Sequence, residues 1–71
     1  MEKKFDFPAG ELRVKKVTHK KKPVLRMTLD SDTTVDIGYE YETARDRAFD
    51  GFDQRNADLV YRTMMNLTGD L

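Results

Sequence analysis

Between Thr33 and Glu42 every second side chain is apolar, whereas from Asp53 to Thr68 the apolar positions recur every three or four residues. The first period belongs to a strand and the second to a helix, so this chain has to join a pleated surface to a helical cover. In the helical stretch Ala57, Val60, Tyr61, Met64, Met65 and Leu67 form one dry stripe, with Arg55, Asp58, Arg62 and Asn66 opposite. Asp53 is placed to cap the first turn, Phe52 to pack back on Ala57, and Gly69 to stop the helix in the left-handed conformation.

Upstream, Phe5 and Phe7 alternate with Lys4 and Asp6 before a Pro8-Ala9-Gly10 turn, and Leu12 and Val14 then alternate with Arg13 and Lys15. Val17 breaks that phase, which predicts a bulge near Lys16 or the end of the strand there. A polar loop, His19-Lys20-Lys21-Lys22-Pro23, leads to a third strand with Leu25, Met27 and Leu29 on one side and Val24, Arg26 and Thr28 on the other. Past Asp30-Ser31-Asp32, the fourth strand places Val35, Ile37, Tyr39 and Tyr41 on one side and Thr34, Asp36, Gly38, Glu40 and Glu42 on the other. Both apolar sets are odd-numbered, so the hairpin between them needs an odd loop; a one-residue slip would bury Asp36. In the registers this leaves open, Arg26 lies beside or diagonal to Asp36.

A short helix is expected next, capped by Thr43, with Asp46 at its third position, Ala48 and Phe49 apolar, and Gly51 ending it. One continuous helix from Thr43 to Leu67 is excluded, because Ala44, Ala48 and Phe52 define a stripe far round the cylinder from Val60, Tyr61 and Met64. The expected fold is α+β: an antiparallel four-stranded meander (ββββ) with one short and one longer C-terminal helix packed on one face, a single domain over residues 1–71.

At this length a folded chain buries only about 60% of the surface its unfolded form exposes, so the core is thin. At about 0.05 to 0.15 kcal/mol per residue the whole fold is worth roughly 4 to 10 kcal/mol. With no Cys, neither a disulfide nor a thiolate metal site can add to it, which fits a reducing cytoplasm. Small domains lacking such staples often dimerise. No apolar run approaches the roughly 20 residues of a bilayer span, and the opening MEKKFDF lacks a secretory apolar region, so a soluble, unprocessed, membrane-free protein is expected. Thirteen acids balance thirteen bases, and net charge alone predicts no polyanion binding. The distribution is uneven: residues 1–29 carry nine Lys and Arg against three acids, a balance of +6, and residues 30–71 carry four Arg against ten acids, a balance of −6.

Nucleophilic catalysis needs a nucleophile with a base in reach, yet His19 and Ser31, the sole His and Ser, sit in different turns. Gly10, Gly38, Gly51 and Gly69 are isolated and make no phosphate-cradling loop. The acidic run Asp46, Asp50, Asp53 fails as a calcium loop, since its third and twelfth positions would be Ala48 and Ala57. Glu40 and Glu42 share a strand face, but so short a chain has no second lobe to make a cleft for them. No catalytic, cofactor or metal residue is therefore expected.

Lys15, Lys16, Lys20, Lys21 and Lys22, close to Arg13 and His19, are the candidate contacts for nucleic acid or another anionic partner. Aromatics for base stacking are missing from this set, because Phe5, Phe7, Tyr39 and Tyr41 fall on the dry face. A solvated loop tip, or lysines guarding an edge strand, explains the same residues without a ligand. Met27, Met64 and Met65 read as core or as an adaptable partner groove. Leu59 falls on the wet side near Arg55 and Arg62, and matters only if it joins a patch with Phe49 or Leu71. In strand order alone, with no shared motif, the layout is similar to some single-strand-binding transcription coactivators and whirly-type proteins, which implies nucleic acid as a partner class. The expected function is a non-enzymatic protein-interaction or regulatory module that self-associates as a homodimer, with nucleic-acid binding through residues 13–26 as the alternative.

Overall fold

The computed structural model describes residues 2–30 and 33–68, positions 67 and 68 by backbone alone. Four strands, β1 (Glu2–Phe7), β2 (Gly10–His19), β3 (Lys22–Leu29) and β4 (Thr33–Gly38), form one antiparallel sheet in sequential order. Two helices follow, α1 (Glu42–Asp50) and α2 (Gln54–Thr68), giving the α+β arrangement that the change of period demands.

Three turns set the registers. Phe7 pairs with Gly10 across Pro8-Ala9. Gly10 takes φ of 141°, and a Cβ there would sit 2.8 Å from Asp30 Cβ, so this position requires glycine. Between β2 and β3 the expected five-residue loop shrinks to Lys20-Lys21, with His19 paired to Lys22. Both lysines have positive φ, 53° and 67°, the backbone of a type I′ hairpin turn usually filled by Asn and Gly. Leu29 pairs with Thr33, leaving the odd loop that the apolar numbering requires; Ser31 and Asp32 of that turn lie outside the described residues.

These registers align Phe5, Leu12 and Leu29 in one rung and Val14, Met27 and Val35 in the next. With Leu25, Phe49, Ala57 and Met64 they make the core under the helices. Burying each such large side chain fully is worth roughly 1.5 to 3 kcal/mol. Phe7 stacks on Tyr61 with ring centroids 4.2 Å apart, and Phe5 meets Phe52 at 5.7 Å. The two phenylalanines of β1 thereby hold the middle of α2 and the segment leading into it.

Four expectations need correction. The β2 strand neither bulges nor ends at Lys16 but runs on to His19, with Val17 opposite Val24 on the face away from the helices. The β4 strand ends at Gly38 rather than Glu42, so Tyr41 is 67% exposed and Glu40 and Glu42 leave the sheet. The cause is Pro23: its carbonyl accepts the Tyr39 N–H at 2.9 Å, but it has no N–H to return, and the ladder stops. Helix α1 starts at Glu42 with Tyr41 as N-cap and no side-chain cap bond, so Thr43 is not the cap. On α2 the dry arc is narrower than expected: Ala57 and Met64 are buried, Val60 and Tyr61 half-buried, and Met65 is 40% exposed.

Asp53 does cap α2. Its Oδ1 accepts the Asn56 N–H at 3.1 Å while Asn56 Oδ1 accepts the Asp53 N–H at 3.1 Å, a reciprocal box with Asn at the third position. Leu67 as a core side chain and Gly69 as the helix stop lie outside what is described.

Candidate interaction surfaces

Helix α2 leaves a gap beside β4. Met27 and Met64, both fully buried, with Val35 and Val60, line a groove of about 260 Å³, which Ile37, Leu59 and Thr63 complete. Ile37 is 42% and Leu59 58% exposed. Met27 and Met64 thus serve as core and groove lining at once, and Leu59 joins a patch, though with Ile37 rather than Phe49, which is itself buried. Leu71, the other expected partner of Leu59, lies outside the described residues.

The backbone of β4 is equally open. The Tyr39-to-Pro23 bond and the registers together assign the odd residues of β4 to the ladder with β3. The N–H and C=O groups of Thr34, Asp36 and Gly38 therefore point away from the sheet. The opposite edge, β1, carries Glu2, Lys3, Lys4 and Asp6 in its six residues, the charged dressing that keeps edges from pairing. The β4 edge carries only Asp36, and Arg26 already grips both its oxygens, at 2.9 and 3.0 Å. That hydrogen-bonded pair holds the Asp36 carboxyl below its ordinary range against the opposing effect of slight burial, with smaller attractions from the Arg26 and His19 charges.

The candidate lysines do not gather on one surface. Lys15 lies on the uncovered face, 3.9 Å from Glu2, whereas Lys16 points beneath the helices with Nζ 3.7 Å from Asp46 and 5.2 Å from the Phe49 ring centroid. Lys20 and Lys21 form the exposed hairpin tip and Lys22 starts β3. On the uncovered face Lys4 stands opposite Arg13 and Lys15 opposite Arg26, two like-charge pairs that disfavour the sheet. Glu2 and Asp36 flank the second pair at the sheet edges and offset it. His19 is exposed at the end of β2, and Ser31 lies outside the described residues.

Two cations with a structural task escape the sequence reading. Lys3 Nζ donates to the carbonyls of Phe49, Asp50 and Phe52 at 2.6, 3.2 and 3.0 Å and lies 4.9 Å from the Phe49 ring centroid. With Lys16 it places a second ammonium against Phe49. Arg45 reaches the Val17 carbonyl at 2.9 Å and ties α1 to β2. A signal for both lysines was available, since Lys3 shares strand parity with Phe5 and Phe7, and Lys16 with Leu12 and Val14.

Among the described residues no group of three or more His, Cys, Asp or Glu side chains is placed to hold a metal ion, and no helix is long and apolar enough to cross a membrane. No family model, curated protein or solved structure matches the chain.

Proposed function

We propose that this chain is a non-enzymatic protein-interaction module of the cytoplasm that works by associating with itself. The observation that carries the proposal is the pairing of an undressed sheet edge, β4, with an apolar groove beside it. An extended segment added to that edge would satisfy its backbone groups and set alternate side chains over the groove. A residue inventory with one His, one Ser and no Cys favours binding over catalysis, and the absence of Cys suits a reducing compartment. A formal net charge of zero at pH 7 leaves no overall repulsion between copies. Light scattering across concentration, at low and high salt, tests the proposal. A mass that rises toward twice 8.3 kDa supports it, and a strict monomer throughout removes it.

A second reading, nucleic-acid binding, is favoured by the like-charge pairs of the uncovered face together with the Lys20-Lys21 tip. In that case Lys15, Lys20, Lys21 and Lys22 contact phosphates, while Lys16 keeps its place under α1. Affinity for a labelled oligonucleotide should then fall steeply with salt and vanish in the Lys20/Lys21/Lys22→Glu variant. Unchanged affinity in that variant would remove this surface.

A further inference from the structure

We infer, resting on the self-association proposed above, that the partner of β4 is the β4 of a second copy, antiparallel about a twofold axis at Ile37, so that two four-stranded sheets become one. The outward backbone groups of Thr34, Asp36 and Gly38 restrict the choice, because a hydrogen-bonded rung must bring together even-numbered residues from both copies. Three symmetric registers are compared, centred on Val35 or Asp36 in the middle of the strand, or on Ile37 beside its Gly38 end.

Charge and exposure choose among them. Centring on Asp36 sets two carboxylates directly opposite each other, a destabilising apposition even with Arg26 beside each. Centring on Val35 leaves the more exposed Ile37 facing Thr33 of the other copy. Centring on Ile37 puts Asp36 next to Gly38, where no side chain competes, and joins the two exposed isoleucines on the helical side of the sheet.

Area enters next. A stable interface takes about 800 Å² from each partner, close to a sixth of the 5139 Å² this protein exposes. In the register centred on Ile37 only residues 36–38 of the two strands lie opposite each other, which is too small for that alone. Twofold pairing sets both α2 helices on the same side of the joined sheet, and Leu59 of each copy then closes the groove over the paired isoleucines. The β1 edge presents Glu2, Lys4 and Asp6, charges that disfavour it as an alternative site, so assembly stops at two.

Because the chain has no Cys, single cysteines read the register directly. Residues at position 37 would form a non-hydrogen-bonded pair with Cα atoms about 4.5 Å apart, inside the range a disulfide spans. Under mild oxidation Ile37→Cys should give a covalent dimer, while Val35→Cys and Asp36→Cys should not. Ile37→Lys, at a position exposed enough to leave the protomer folded by circular dichroism, should weaken dimerisation about 100-fold or more. Cross-linking of Val35→Cys or Asp36→Cys in place of Ile37→Cys would overturn the register. Dimers that survive Ile37→Lys and yield no cross-link would overturn the surface and leave self-association standing. A monomer under every condition would overturn both.

Discussion

Lys3 Nζ lies 2.6 Å from the carbonyl oxygen of Phe49, so a side chain of the first strand closes the last turn of α1. Helix ends leave carbonyls without partners, and a cation there also meets the negative end of the helix dipole. Gly51 does not finish the job by the left-handed route, since its φ is −87°. The ammonium takes that role with three carbonyls at once, bridging residues 46 to 49 positions apart in the chain.

Replacing Lys3 by Met keeps much of the aliphatic stem and removes the charge. The expected loss is about 2 kcal/mol, the scale of hydrogen bonds to a charged group. Lys4→Met, on the uncovered face, should change stability by less than about 0.5 kcal/mol. Urea melts of the two variants check the difference.

The Lys20-Lys21 turn holds two non-glycine residues at positive φ. Left-handed backbone disfavours such side chains by roughly 1 to 2 kcal/mol each. The variant Lys20→Asn with Lys21→Gly should therefore gain about 1 kcal/mol or more and raise the thermal midpoint, measured by circular dichroism.

Two glycines should respond in opposite directions. Gly10→Ala meets both a φ of 141° and Asp30 Cβ at 2.8 Å, and should lose about 2 kcal/mol or more. Gly38→Ala finds nothing within 4 Å of the new Cβ and should be neutral or gain up to about 1 kcal/mol by removing a flexible residue from a strand. Thermal melts at one low protein concentration compare them.

Acid should act through Asp36. Its folded pKa lies below the ordinary carboxylate value because of Arg26, so the unfolded chain binds the proton more readily. The stability Asp36 contributes is present at neutral pH, above the ordinary aspartate value of the unfolded chain, and is lost as pH falls through the lower folded value. Asp36→Asn should flatten this acid limb of the melting profile and leave melts near pH 7 less stable than the parent. An unaltered limb would mean that the exposed pair is fully screened.

Much of the fold can be read from residue parity. Odd-numbered apolar residues in β3 and β4 force an odd loop, which puts Arg26 beside or diagonal to Asp36; the three-residue turn makes them direct partners. The change of stripe across Gly51 separates α1 from α2. Less legible is what depends on a partner strand: the alternation through Tyr39 and Tyr41 continues in sequence although Pro23 has already ended the ladder. The lysines misled for a related reason. A run of like charges suggests one surface, but strand geometry divides Lys15 from Lys16, and Lys3 and Lys16 go to α1. The groove was half visible, through Leu59 on a polar helix face, and its other side came from Ile37, which the pattern assigned to the core.

The segregation of charge at residues 29 and 30 has its own effect before folding. With a balance of +6 in the earlier segment and −6 in the later one, the denatured chain is a block polyampholyte. At low ionic strength its two blocks draw together, bringing the N-terminal lysines near the segment that becomes α1 ahead of any hydrogen-bonded structure. Added electrolyte shortens the reach of that attraction, so the unfolded ensemble swells in salt even though the molecule as a whole is neutral.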